Sequence, residues 1–311
     1  MESPGLRGLF EEFARKERES RLNGSIQEGK ELNPPINKTP QNSKKLLALD
    51  YDGCIVDSVM EALFVSYISY RKHINKKTKI FDGRQVRVEN FLNFISDYQF
   101  QVKEFRRYRP YIKDASDYAV ILYGIENNLN LGSDKRFFEI KDQIPNEDLK
   151  KYYECFYGAR NEIIHSNFDA WAKLTPPFGC IDSIRKLANR YETLIVTTNA
   201  AECITGLLAE PYLNLHIEEK NIVDLHVSTD KIVHMKHITR KRNVRFEDMH
   251  FVDDNLNHLL ATEPLGVNVY LATWGYCTKE QKAFAEKEEN IILLTEDTVY
   301  SVLDASLQPT E

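Results

Sequence analysis

The chain has 311 residues, enough to bury one large core and a second, smaller one. Apolar residues at 42%, charged residues at 28% and a formal charge of −6 fit a globular protein and exclude a general nucleic-acid binder, which carries a strongly basic field. No apolar run approaches the roughly 20 residues needed to cross a bilayer, and five cysteines without a CxxC pair indicate neither a zinc site nor a disulfide framework, so a reducing, cytoplasmic setting is expected.

Residues 1–44 form a leader. Leu6, Leu9, Phe10 and Phe13 suggest a short amphipathic stretch, and the Pro-, Asn- and Ser-rich segment that follows disfavours regular structure. Flexibility is the expectation; docking of the Leu/Phe stretch on the domain or a partner is the alternative.

Residues 45–58, KLLALDYDGCIVDS, give a short apolar run suited to a buried parallel strand, ended by Asp50 and Asp52 and released by Gly53. Side chains alternate along a strand, so the two carboxylates point the same way if the strand stays regular. Carboxylates at the carboxyl end of a core strand stand where open α/β sheets build ligand sites, and two together call for a cation or a shared proton. Cys54 beside them is read as a small filler rather than a reactant.

Residues 59–175 are too long for a loop. Four stretches, beginning at Met60, Val88, Asp114 and Leu149, carry apolar residues three and four apart, which predicts helices with few strands between them. Arg106, Arg107 and Arg109 bias this region positively, suiting an anion as well as a solvated helix face. The segment after Pro176 predicts a turn and a returning helix.

From Thr193 onward apolar strands alternate with helices, which implies βα units and a largely parallel sheet covered on both faces. The run 193–199, TLIVTTN, ends in the hydroxyls Thr197 and Thr198 followed by Asn199. Lys231 opens a helical pattern through Ile232, Met235 and Ile238, with Lys236 and Lys241 inside it. The run 249–255, MHFVDDN, closes on Asp253 and Asp254. Each has a plainer explanation when taken alone: β-branched residues end strands, a lysine is a solvated charge, and Asp-Asp-Asn caps the helix that begins near Leu256. His234, His237 and His250 show no metal-ligand spacing.

Taken in order, these four segments resemble the signatures of the haloacid dehalogenase-like hydrolases over residues 45 to about 300. In the first, Asp50, Asp52, Gly53, Asp57 and Ser58 fill the expected places. The resemblance implies an α/β fold, a Rossmann-like doubly wound parallel core made by residues 45–58 and 176–311, with an all-α cap inserted at 59–175. It implies a phosphatase in which Asp50 is the nucleophile and forms an aspartyl phosphate, and Asp52 is the acid and then the base. Thr198, with Thr197 as the alternative, and Lys231 hold phosphoryl oxygens. Mg²⁺ is implied, bound by Asp50, the Asp52 carbonyl and Asp254 or Asp253. Arg106, Arg109 and Asn199 are the candidates for substrate binding.

The expected substrate is a small phosphorylated metabolite, with no membrane partner. A phosphomutase of the same superfamily and a catalytically silent binding module are the alternatives. The oligomeric state is not legible in the sequence.

Overall fold

The structure, a computed structural model, describes residues 44–308. The leader read over 1–44 lies outside the described residues except for Lys44.

Six strands form one parallel sheet in the order β3-β2-β1-β4-β5-β6: β1 Leu46–Leu49, β2 Thr193–Val196, β3 Ile222–Val223, β4 Met249–Asp253, β5 Asn268–Ala272 and β6 Ile291–Leu294. Registers such as Ala48 beside Leu194 and Phe251 align the ends of the three central strands. Every residue of β1, β2 and β4 is buried, which requires the unbroken apolar runs seen in the sequence, whereas edge strand β6 exposes Ile292.

Strand alternation divides the core between two faces. Leu47, Leu49, Ile195 and Val252 pack toward the helices Ile181–Arg190 and Val299–Leu307. Leu46, Ala48, Leu194 and Phe251 pack toward Lys231–Arg242 and Leu256–Thr262. Removing a fully buried ring such as Phe251 costs about 3–5 kcal/mol.

Between β1 and β2 the described chain is helical. We label α1 Val59–His73, α2 Gln99–Tyr108, α3 Asp117–Glu126, α4 Asp134–Lys141, α5 Asn146–Ser166 and α6 Phe168–Ala172. Helices α1 to α5 share an apolar cluster that runs from Val59 to Phe156 and takes in Leu174 and Tyr276, whereas α6 gives Trp171 and Ala172 to the core against Leu47, Leu49 and Ile195. Tyr118 stacks on Phe156 at 5.4 Å and on Phe105 at 5.6 Å between centroids.

Two differences from the expected elements have local causes. The stretch from Val88 to Tyr98 breaks into single turns, Val88–Asn90, Phe91–Phe94 and Ile95–Tyr98, and a regular helix starts only at Gln99. Its apolar residues insert singly: Phe91 and Ile95 are buried while Leu92 is exposed. Helix α4 did not stand out in the sequence because only Phe137 and Ile140 are buried on its two turns; Ser133 caps it by accepting from the Arg136 amide at 3.2 Å.

All five cysteines are free. Among the described residues no helix is long and apolar enough to cross a membrane.

Candidate active site

Strand β1 stops where its ladder does. Asp50 still donates its amide to the Val252 carbonyl at 2.9 Å, and the chain then folds back on itself, with the Gly53 amide reaching the Val56 carbonyl at 3.0 Å. Gly53 takes φ +90°, and a Cβ there would lie 2.3 Å from Asp254 Oδ2. Gly275, after β5, closes the same space: its Cβ would lie 2.3 Å from the Gly53 carbonyl oxygen and 2.4 Å from Asp254 Cβ. Both glycines let backbone approach the acids where any side chain would intrude.

At the carboxyl ends of β1, β2 and β4 lies a cavity of about 110 Å³ whose floor includes Asp50, Asp52, Thr198, Asn199 and Asp254. The opposite wall comes from the helical insert, including Arg109, Tyr118, Phe156 and Arg160. The sheet thus gathers residues from three distant segments, as the switch-point geometry of open α/β sheets favours.

Lys231 begins its helix with Asp230 as N-cap, and its side chain passes inward over the Phe251 ring. Its Nζ donates to Asp50 Oδ1 at 2.6 Å and to the Val196 carbonyl at 2.5 Å, and lies 3.7 Å from Asp253 Oδ2. Lys236 and Lys241 are exposed, so the buried amine is Lys231. Burial pushes Asp50 up to about 6 against the pull of Lys231, with Asp253 and Asp52 adding to the rise.

The two acids of β4 have different surroundings. Asp253 accepts from the Asn255 amide at 2.8 Å and from His258 Nδ1 at 2.9 Å and does not line the cavity. Burial alone would raise it, but His258 and Lys231 outweigh that and hold it below the usual carboxylate range. Asp254 lines the cavity and accepts from the Tyr276 amide at 2.6 Å. Burial, then Asp253 and Asp50, pushes it well above the usual range. Of the tandem, Asp254 is therefore the acid that shares the cavity with Asp50.

A ligand atom from each of Asp50, Asp254 and Cys54 lies within 4.8 Å of the others. The two carboxylates suit a hard divalent cation. Cys54 does not suit it: burial holds the thiol well above its ordinary value, and Sγ faces the Val252 carbonyl at 3.9 Å.

Thr198 lines the cavity, whereas Thr197 is buried, its hydroxyl accepting from the Asn199 amide at 3.0 Å. Asn199 spans two groups: its amide donates to Asp52 Oδ2 at 2.8 Å and its carbonyl accepts from Arg160 at 2.5 Å. Arg106 does not line the cavity; it pairs with Asp57 at 2.8 Å, outside the site. Arg109 does line it, over the rings of Tyr276 and Tyr118. Burial disfavours charge on Arg109, and Tyr118, Tyr276, Asp52 and Asp254 outweigh it and keep the group cationic.

Sequence reasoning missed Arg160, Glu61, Tyr276 and His258. Arg160 clamps Glu61 through Nε and Nη2, both at 2.7 Å, and Trp171 Nε1 donates to the same carboxylate at 3.3 Å. One signal was available: the buried stripe of α5 runs Leu149, Tyr152, Phe156, Arg160, so an arginine occupies a core position. Tyr276 binds the first motif from outside, its hydroxyl donating to Asp57 Oδ1 at 3.0 Å and accepting from the Ser58 amide at 2.8 Å. His234 and His250 are buried away from the cavity, against the Asp224 carbonyl and the Tyr270 hydroxyl.

No protein-family model matches the sequence, and no curated protein matches it. Solved structures do match in fold. A provisionally assigned phosphoglycolate phosphatase of Lactobacillus delbrueckii superposes with TM-score 0.57 at 10% identity, over 86% of this chain and 100% of the other. A haloacid dehalogenase-like family hydrolase of Streptococcus pneumoniae gives 0.52 at 12% identity, over 83% and 98%. A predicted phosphoglycolate phosphatase of Haemophilus somnus gives 0.51 at 13% identity, over 85% and 100%. The chain therefore has the haloacid dehalogenase-like fold, an α/β fold with a Rossmann-like parallel sheet.

Proposed function

We propose that the protein is a Mg²⁺-dependent phosphatase that hydrolyses a small phosphorylated metabolite through a phosphorylated Asp50. The observation that carries this reading is the convergence of Asp50, Asp52, Thr198, Lys231 and Asp254 at one sheet edge, in part around a single cavity. Two of the solved structures with this fold are assigned as phosphoglycolate phosphatases, which supports the same reading.

Lys231 holds one oxygen of Asp50 and leaves the other to attack phosphorus. The bond from phosphorus to the ester oxygen breaks, and Asp52 gives that oxygen a proton. Asn199 holds Asp52 through Oδ2, which fixes the direction of the transfer. Water then attacks the phosphorylated Asp50, Asp52 takes the water's proton, and phosphate leaves with the carboxylate restored. Thr198 and Lys231 donate to the phosphoryl oxygens as their charge grows. Asp50, Asp254 and the Asp52 carbonyl would hold Mg²⁺, which when bound supplies positive charge to the phosphoryl group. In this reading residues 59–175 act as a cap that closes the cavity over the substrate, and 45–58 with 176–311 form the catalytic core.

Incubation with a panel of phosphate esters, with and without Mg²⁺, tests the proposal. Metal-dependent phosphate release is expected, with a loss of at least about 10³-fold in Asp50→Asn. Transfer of phosphate between positions on one sugar would establish a mutase instead, and inertness across the panel with binding retained would establish a silent module.

A further inference from the structure

The cavity holds a cation that this chemistry leaves unused. Lys231 is matched by Asp50, Arg160 by Glu61 and Arg106 by Asp57. Arg109 has no such match: among the described residues it makes no ion pair, and its enclosed Nε has no hydrogen-bond partner. Two rings hold the guanidinium instead, with centroids 4.6 Å away for Tyr276 and 5.3 Å for Tyr118. Cation–π contacts satisfy the faces of a guanidinium and leave its N–H edge unanswered.

Asp52 and Asp254 act on Arg109 only from a distance, with no carboxylate in contact, and a cation so placed gains when an anion reaches its N–H edge. The open space beside Arg109 is the cavity that also contains Asp50, Asp52 and Asp254. These acids are already committed to Lys231, Asn199 and the Tyr276 amide. Arg109 also belongs to the helical wall, across the cavity from the nucleophile, where the leaving group of an ester bound at Asp50 would lie.

We propose that Arg109 is the receptor for a second anionic group on the substrate, so that the ester cleaved at Asp50 carries a carboxylate or a further phosphate on its leaving group. This inference rests on the phosphatase reading for the position of the ester. An arginine fork takes either anion through paired N–H···O bonds. Tyr118 and Tyr276 keep the fork from turning away, which makes it a specificity element rather than a general attractor of anions.

The test compares kcat/KM in the presence of Mg²⁺ for two matched pairs: 2-phosphoglycolate against ethyl phosphate, and 1,3-propanediol bisphosphate against propyl phosphate. The native chain is expected to favour the doubly anionic member of at least one pair by about tenfold or more. Arg109→Gln should collapse that ratio, and Arg109→Lys, which keeps the charge but loses the fork, should retain part of it. The pair that discriminates identifies the anion as carboxylate or phosphate. Equal rates within both pairs, or a preference that survives Arg109→Gln, would overturn the inference.

Calorimetric titration of the same four esters into Asp50→Asn, with and without Arg109→Gln, reads recognition without turnover. If no ester is hydrolysed yet the doubly anionic esters bind tighter through Arg109, the phosphatase reading falls and the anion site stands. Absence of that preference in both assays overturns the anion site, whatever the outcome for hydrolysis.

Discussion

Arg160 reaches Asp52 through one amide. Its Nη1 donates to Asn199 Oδ1 at 2.5 Å, and Asn199 Nδ2 donates to Asp52 Oδ2 at 2.8 Å. A guanidinium can only donate, so the orientation of the Asn199 carboxamide is fixed by its neighbour. An arginine of the inserted helices thereby sets the position of an acid at the sheet edge, and the packing of α5 against α1 becomes a condition for placing Asp52.

The clamp itself is buried, and its loss should be expensive in an asymmetric way. Arg160→Met leaves Glu61 enclosed with only the Trp171 indole to answer it, at an expected cost of about 3–5 kcal/mol. Adding Glu61→Gln removes the stranded charge and should recover a large part of that loss. Urea unfolding of both single variants and the double variant measures the coupling; strictly additive losses would show that the pair does not act as a unit.

Lys231 is expected to resist conservative replacement. Its ammonium fits between Asp50 Oδ1 and the Val196 carbonyl in a fully enclosed position, with the Phe251 ring alongside. A guanidinium is planar and larger, so it cannot occupy the same point. Both Lys231→Ala and Lys231→Arg should lower kcat for ester hydrolysis by about 10²-fold or more. Steady-state kinetics decides, and near-native turnover in Lys231→Arg would remove Lys231 from the proposed machinery.

Much of this architecture was legible because it follows from local pattern. The fully buried strands β1, β2 and β4 need unbroken apolar runs, and their acidic or hydroxyl ends mark the edge where a parallel sheet binds ligands. What was not legible depends on distant pairing. Nothing near Arg160 in the sequence announces that Glu61 and Asn199 will meet it, and Tyr276 joins the first motif only because β5 lies beside β4. The cluster of arginines shows the limit of composition: Arg106 and Arg109 are near neighbours, yet one pairs with Asp57 and the other faces the cavity.

The close approach of backbone to Asp254 should make Gly275 intolerant of a single methyl. A Cβ there meets the Gly53 carbonyl at 2.3 Å and Asp254 Cβ at 2.4 Å, so the Gly53 turn or Asp254 must shift. Gly275→Ala is expected to cost about 1–3 kcal/mol from overpacking and to weaken Mg²⁺ binding at the same time. Thermal unfolding with and without Mg²⁺ measures both. A variant with native stability and native metal affinity would mean that the gap can relax at no cost.

Removing charge from Asp254 should separate stability from function. Its carboxyl is held well above the ordinary range by burial and by the nearby Asp253 and Asp50, so the folded state holds that proton more tightly than the unfolded chain does. A raised carboxyl contributes stability that is present at low pH and is lost as pH rises past the unfolded value. In metal-free protein at neutral pH, Asp254→Asn should therefore raise the unfolding midpoint, by about 2–4 °C for each kcal/mol relieved. The advantage should shrink as pH falls toward the unperturbed carboxylate value near 3.8. Asparagine keeps an oxygen to accept from the Tyr276 amide, so that contact does not confound the comparison. Mg²⁺ at about 100 times its dissociation constant should stabilise the native chain by about 2.7 kcal/mol, and chelation should abolish the gain. Asp254→Asn should show little of that gain and little turnover. Calorimetric scans across pH, with Mg²⁺ or chelator, test each part; an Asp254→Asn variant less stable than the native chain without metal would show that the acids at this edge do not repel one another.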